Sequence, residues 1–339
     1  MPKKKVIKEL PEENQFESIV DSVKKYLNSE DEIVPIKEYL HTGNYALDYI
    51  ISGKVDGSGG YPMGMVCELF GDPATGKSLL LAKAIAEAQK KGYLPIIADA
   101  EGRWDDDFAA LQGVGIKEAP KFYPETVEDF AVKAYQIFEK FGEKKRIVMI
   151  LDSLAILTTI KELEDIEEGE MKMDQGRKAQ RIKAAIRTLR TGVRRTGSLL
   201  LISNHVIAQP GAYTTTTPGG KGVSFQASVR VELTKPTPIV LPGKDRPIGV
   251  TLYSKITKNS TAPPFGTCEM NLYWATGVDP YSGLLDLMKD NEIVTQKGAW
   301  YYFGERAFQS KDLQVLIKEC PEILVDEKWN HPYFLSGVK

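Results

Sequence analysis

The chain has 339 residues but only three cysteines and three histidines. Cys67, Cys268 and Cys320 stand far apart and odd in number. That excludes a disulfide framework and cysteine-pair zinc spacing, and it suits a reducing, cytoplasmic setting. No apolar run reaches the ~20 residues that span a bilayer. The charged start Met1-Pro2-Lys3-Lys4-Lys5 has no apolar segment behind it, so a signal peptide is not expected and no membrane partner is implied. Charge of one sign is also missing: 44 Lys and Arg against 46 Asp and Glu leave −2, which excludes a globally basic nucleic-acid binder and allows only a local basic surface. What remains is 42% apolar and 27% charged, enough for a large core with smaller attachments.

The strongest motif is Gly71-Asp72-Pro73-Ala74-Thr75-Gly76-Lys77-Ser78, a complete G-x-x-x-x-G-K-S phosphate loop. Its glycines let backbone N–H groups curl around phosphates. Lys77 reaches the β- and γ-phosphates, and the Ser78 hydroxyl suits Mg²⁺. Met65 to Phe70 reads as a buried strand entering the loop, and Leu79 to Ala88 as a helix leaving it, which aims a helix N-terminus at the phosphates.

Strands are predicted at 65–70, 95–99, 121–123, 146–151, 198–203 and 228–233, and helices at 77–91, 126–141 and 177–196. Alternation with nearly continuous apolar strands implies a parallel sheet covered on both faces. The stretches 248–257 and 267–273 lack intervening helices and are expected to extend the sheet antiparallel. Ahead of the core, an amphipathic helix at 14–28 and the apolar stretch 33–36 cannot close a core of their own and need something else to pack on. From Tyr281 the pattern turns to short helices and aromatic-rich turns, read as a small C-terminal domain.

Three strands end in groups that can do chemistry, at the edge where open α/β sheets bind ligands. Asp152 ends one and stands where the second carboxylate of a Mg²⁺ site belongs, although an Asp there also serves as a turn or cap. Asp99-Ala100-Glu101 ends another, and Glu101 is placed to activate water against the γ-phosphate, or is a solvated loop carboxylate. Asp105 and Phe108 follow as an acid and a flat ring for adenine, with Phe108 equally suited to the core. Asn204 and His205 end the third strand, where they can touch the γ-phosphate or donate structurally. The run from Val206 to Gly220 then carries no charge and is rich in Gly and Thr, including Gln209, Tyr213, Thr215, Thr216, Gly219 and Gly220. It is either a solvated linker or a loop whose amides and hydroxyls order around phosphodiester oxygens. An irregular stretch is read at 162–176. From Met171 to Arg195, nine basic residues, among them Lys172, Arg177 and Arg181, face one acid. In a chain with no net positive charge, that concentration points to a polyanion bound without reading its sequence.

Over roughly residues 40–325 the chain resembles the RecA family of strand-exchange recombinases. The resemblance rests on His41-Thr42-Gly43-Asn44-Tyr45-Ala46-Leu47-Asp48, Pro62-Met63-Gly64, Asp99-Ala100-Glu101, Asp152-Ser153, the threonine–glycine loop and Ala262-Pro263-Pro264-Phe265. Gly277 to Asp286 is especially similar to phage UvsX recombinases. The resemblance implies an α/β fold: a RecA-like P-loop ATPase core (41–276) with an N-terminal helix–strand oligomerisation arm (1–40) and a small α/β C-terminal domain (277–339). It implies Glu101, Lys77, His205 and Lys258 as catalytic, with Lys258 reaching a neighbouring subunit's γ-phosphate. Gly71 to Leu79, Asp105 and Phe108 would hold ATP, and Ser78 and Asp152 would hold Mg²⁺. The segments 162–176 and 206–220 would be DNA-binding loops, with Asn204 and Lys221 among the contacts. The implied partners are single- and double-stranded DNA, further copies of the chain in a helical filament, and single-strand-binding and mediator proteins. Bacterial RecA carries Gln in place of His205 and a second lysine in place of Ser260, so these positions favour the phage type. A closed-ring helicase-like motor, or a filament protein that uses ATP only as a structural ligand, would share the same core.

Overall fold

The computed structural model describes residues 38–169, 175–208, 215–217 and 221–330. The expected arm helix at 14–28 and the stretch 33–36 lie outside them. In chain order, β1 (Tyr39–Leu40), α1 (Tyr45–Ser52) and β2 (Tyr61–Pro62) lead into β3 (Met65–Gly71) and α2 (Lys77–Lys90). Then come β4 (Leu94–Asp99), α3 (Asp106–Leu111), β5 (Lys121–Phe122), α4 (Val127–Phe141) and β6 (Ile147–Asp152). Helices α5 (Ile160–Glu167) and α6 (Gln175–Thr196) precede β7 (Leu199–His205), the short pair β8 (Ile207–Ala208) and β9 (Thr215–Thr216), and α7 (Lys221–Gln226). Strands β10 (Val229–Val240), β11 (Pro247–Asn259), β12 (Thr267–Tyr273) and β13 (Gly277–Val278) follow without helices between them.

Nine strands form one sheet in the order β13-β12-β11-β10-β3-β7-β6-β4-β5, with the phosphate-loop strand β3 at its centre. Every pairing from β10 to β5 is parallel, and β10 through β13 pair antiparallel, as the helix-free spacing predicts. The strands read as continuous apolar runs because successive residues feed two different cores. Val148, Ile150, Leu199, Leu201, Val229 and Val231 join α1 and α2 on one face. Ile147, Met149, Leu151, Leu200 and Ile202 join α4 and α6 on the other. The apolar stripe Ile182, Ile186, Leu189 and Val193 of α6 is fully buried, so most of its arginines and lysines face outward. Gly192 brings the backbone of α6 close to α4, since a Cβ there would sit 3.4 Å from Phe138 Cβ. Phe138 is itself fully buried. Phe138→Ala is expected to cost about 3–5 kcal/mol in denaturant unfolding, mostly as a cavity that the two helices cannot close.

The irregular stretch expected at 162–176 is partly helical: α5 occupies its first residues. Thr159 and Glu162 form a reciprocal capping box that starts this helix, a local signal too short to show as periodicity. Beyond β13 come α8 (Leu284–Asp290), the antiparallel sheet β14 (Thr295–Lys297), β15 (Trp300–Phe303) and β16 (Arg306–Phe308), α9 (Leu313–Glu319), and two short 3-10 turns, Pro321–Leu324 and Glu327–Asn330. Leu284, Met288, Phe308, Leu316 and Trp329 share the buried cluster of α1 and α2. The Tyr49 and Trp329 rings meet edge to face at 4.8 Å, and the Tyr49 hydroxyl donates to Asn291. No helix among the described residues is long and apolar enough to cross a membrane.

Candidate active site

The parallel register brings Gly71 level with His205, and Asp99 level with Asp152, at one edge of the sheet. Between β3 and α2 the chain must turn sharply, and glycine makes the turn possible. A Cβ on Gly71 would come within 2.1 Å of the Leu233 carbonyl oxygen. Gly76 takes φ 76° as the N-cap of α2, and a Cβ there would strike Leu272 Cδ1 at 2.3 Å. Ala74 adopts φ 61°, a left-handed conformation uncommon for a residue with a side chain. Thr75 Oγ1 donates to the Asp72 carbonyl at 2.8 Å and ties the turn to itself. Asp72, Pro73, Ala74 and Ser78 are exposed on the loop, while Leu79 points into the core. Lys77 Nζ folds back over the loop and donates to the carbonyls of Gly71 and Asp72 at 3.0 and 2.8 Å. Burial pulls its ammonium below the usual lysine range, and Asp152, Glu101 and Asp72 oppose that shift.

Asp152 is nearly buried. Its carboxylate accepts from Ser203 Oγ at 2.5 Å and from the Ser78 hydroxyl. Burial raises its pKa; the two hydroxyls oppose the rise, and Glu101 and Asp99 add to it. Ala100 and Glu101 donate their backbone N–H groups to the Asp152 carbonyl at 2.7 and 3.1 Å. The buried Asp99 carboxylate accepts from the N–H groups of Gly102, Arg103 and Trp104 at 2.9, 3.3 and 2.9 Å. Together these bonds fix the loop that carries Glu101. Glu101 Oε1 accepts from Ser153 Oγ at 2.7 Å and lies 3.1 Å from His205 Nε2. A carboxylate only accepts, so the His205 proton is assigned to Nε2. Burial pushes the Glu101 carboxyl upward, but the bonds from Ser153 and His205 and the charges of His205 and Arg103 win, and its net shift is downward.

A model of the RecA N-terminal domain matches residues 16–279. The chain belongs to the RecA family. It is 32% identical to Protein RecA of Methylococcus capsulatus over 291 residues, 84% of this chain and 80% of that one. It is 31% identical to Protein RecA of Thermotoga maritima over 355 aligned positions, 97% and 96% of the two chains. With Protein RecA of Staphylococcus aureus it shares 32% over 289, covering 83% and 79%. As a RecA-family member it is an ATP-dependent DNA strand-exchange recombinase that forms filaments on single-stranded DNA, and a DNA-dependent ATPase.

In this RecA-family chain the donor set fits a magnesium nucleotide. Ser78 and Asp152 offer a hydroxyl and a carboxylate already in contact, hard oxygen ligands of the kind Mg²⁺ takes beside substrate phosphates. Asp105 caps α3 through Oδ1, which accepts from the Phe108 N–H at 3.0 Å. Phe108 is half-buried against the core. Lys258 Nζ donates to the carbonyls of Ser224 and Phe225 at the end of α7, at 2.9 and 2.8 Å.

The residues assigned to DNA spread unevenly. Lys172, Gln209, Tyr213, Gly219 and Gly220 lie outside the described residues. Thr215 and Thr216 form β9, paired with Ala208 and Ile207, and Lys221 opens α7. Arg177 and Arg181 are exposed on α6, with Arg181 Nε 3.5 Å from Glu128. Asn204 needs correction as a DNA contact. It is fully buried, and its amide donates to Glu68 Oε1 at 2.9 Å, so it has no surface to offer a strand in this conformation. Sequence reasoning missed Ser153 as a donor to Glu101, Asp99 as the clasp of its loop, and the pairing of the buried Glu68 with the partly buried Arg230. Half of that last signal was present: Glu68 is the one acid in the otherwise apolar strand Met65–Gly71, whereas Arg230 stands in a strand that also carries Glu232 and Lys235.

Proposed function

We propose that Glu101 is the general base that activates water against the γ-phosphate, and that His205 reports the strand-bound state to it. The observation that carries this reading is the contact of His205, the last residue before the uncharged loop, with Glu101. Lys77 places a positive charge against the β- and γ-phosphates, and the amides of the loop Gly71–Leu79 bind their oxygens. Ser78 and Asp152 would hold Mg²⁺, which would supply charge neutralisation for the phosphates. Asp105 and Phe108 receive the adenine. Lys258 completes the site from a neighbouring copy, and the arm of residues 1–40 links copies. The segments 162–176 and 206–220, with Arg177, Arg181 and Lys221, face the DNA backbone. His205 and Ser260 support a phage UvsX-like member, one that works with single-strand-binding and mediator proteins. Three buried, unpaired cysteines support a cytoplasmic setting.

The test is binding of a labelled oligothymidine across a salt series. Removing one cation that neutralises a phosphate lowers the slope of log K against log salt by about 0.7 for a single strand. Arg177→Ala is expected to lower it by roughly that amount, whatever the base composition. An unchanged slope with unchanged affinity removes Arg177 from the strand-binding surface.

A further inference from the structure

Arg190 is exposed on α6, about 14 Å further along the helix than Arg181, the nearer of the two α6 arginines assigned to DNA. Its Nη1 donates to Gln226 Oε1 of α7 at 3.3 Å. The two helices meet closely, since a Cβ on Gly222 would come within 2.9 Å of Lys183 Cβ. Lys258 reaches the same end of α7 from β11, where its Nζ donates to the carbonyls of Ser224 and Phe225 at 2.9 and 2.8 Å. Three elements therefore converge on residues 224–226 and bring two cations there, and the Phe225 ring among them is largely exposed.

These charges are not balanced from within. The partners of Arg190 and Lys258 are a neutral amide and two carbonyls, and no carboxylate among the described residues forms an ion pair with either. Burial, Arg230 and Arg190 together pull the Lys258 ammonium below the usual lysine range. Glu68 opposes that shift, but its carboxylate is already bound to Arg230 and Asn204. Cations held together in this way favour an anion brought from elsewhere. The chain's own nucleotide is out of reach. Lys258 pairs with Arg230, and Arg230 with Glu68, which precedes Gly71 in β3. The Lys258 backbone therefore stands about 10 Å back from the phosphate loop along the strands and about 10 Å to its side, and its ammonium is committed to α7.

We infer that Arg190 acts with Lys258 as a second cation on the terminal phosphates of the nucleotide held by an adjacent copy of the chain. A guanidinium presents the planar pair of N–H groups that fits a phosphate, and its single bond to the neutral Gln226 is given up at little cost. Lys258, pinned by two carbonyls, supplies a point charge beside it. The phosphate site of one copy then lacks two cations until the face made by α6, α7 and β11 of the next copy covers it. This inference rests on the reading of Lys258 as a contact made across copies.

The experiment uses the full chain with Arg190→Ala, and with Lys258→Ala for comparison. Arg190 is exposed, so its variant should fold. The kcat with saturating oligothymidine is expected to fall at least about tenfold. The gain in oligothymidine affinity brought by a slowly hydrolysed ATP analogue is expected to disappear, while binding without nucleotide keeps its Kd and its salt slope. Arg190→Ala and Glu101→Gln are then mixed in equal amounts. In a randomly mixed head-to-tail filament about one site in four has its own Glu101 and a neighbour's Arg190, so the rate should recover to about a quarter of the parent's. An unchanged kcat in Arg190→Ala overturns the inference. So does a lower salt slope without nucleotide, which would assign the arginine to DNA. A mixture that stays slow, while Lys258→Ala mixed with Glu101→Gln recovers, places Arg190 within its own subunit and overturns the inference alone. Failure of both mixtures overturns the reading of Lys258 as well. Where Glu101→Gln itself stays active, the nucleotide-dependent affinity decides: a gain in Arg190→Ala as large as the parent's overturns the inference.

Discussion

Glu101→Gln is expected to lower DNA-stimulated turnover by about two to four orders of magnitude, the range a positioned general base contributes, with ATP affinity changed little. The amide keeps the size of the carboxylate and can still accept from Ser153 and His205, so the loop clasped by Asp99 and the Asp152 carbonyl stays in place. What disappears is the ability to take a proton. The signature is therefore a fall in kcat with KM nearly constant, which separates loss of chemistry from loss of binding. A filament protein that used ATP only as a structural ligand would show no such fall, so an unchanged DNA-stimulated rate in Glu101→Gln would sink the assignment.

The same geometry sets the pH behaviour. Burial acts to raise the Glu101 pKa, but its hydrogen bonds and the neighbouring cations bring it below the usual glutamate range. On the proposed assignment Glu101 is therefore already ionised at neutral pH, and turnover should not fall through this group as pH drops from 8 to about 5. The sign for stability is the same: a depressed carboxyl contributes above its unfolded pKa, and the contribution is lost as pH falls through the folded one. A carboxylate held by two donors on one oxygen is also a weak base. Withdrawal of His205 from Glu101 on strand binding would raise its basicity, a direct physical route from DNA to ATPase rate.

Much of the architecture was legible because it rests on local patterns. The phosphate loop is eight contiguous residues, and the strands feeding two cores show as unbroken apolar runs such as Ile147 to Leu151. The antiparallel extension followed from missing helices between 228 and 273. The links that join the parts were not legible. Arg230 and Glu68 are 162 positions apart, and Ser153 and Glu101 are 52 apart. Strand order brings them together, and no spacing rule in one sequence announces it. Asn204 was misread for a related reason. The end of a strand looks exposed in sequence, but β3 and its Glu68 cover this residue from the side.

Lys77→Ala is expected to abolish ATP-dependent filament assembly, seen as loss of filaments on single-stranded DNA in negative-stain images and loss of ATP binding at concentrations that saturate the parent chain. Two contributions add. The first is structural: the ammonium donates to the carbonyls of Gly71 and Asp72, charge-assisted bonds worth about 1.5–3 kcal/mol each when made without loss elsewhere. The loop also holds Ala74 in a left-handed conformation, so a loop without those bonds has less to keep it curled. The second is electrostatic. Asp152, Glu101 and Asp72 crowd the same edge, and Lys77 is a cation that offsets all three. Without it, a polyphosphate would enter a site dominated by carboxylates and meet repulsion where it now meets attraction. Because α2 buries Leu79, Leu80, Ala84 and Ile85 independently of this side chain, the variant should fold, with a melting temperature lowered by no more than about ten degrees. A folded Lys77→Ala chain that still assembles ATP-dependent filaments would remove the lysine from the phosphate site. A folded chain that binds ATP yet does not assemble would instead place the lysine in the step that links nucleotide to the neighbouring copy.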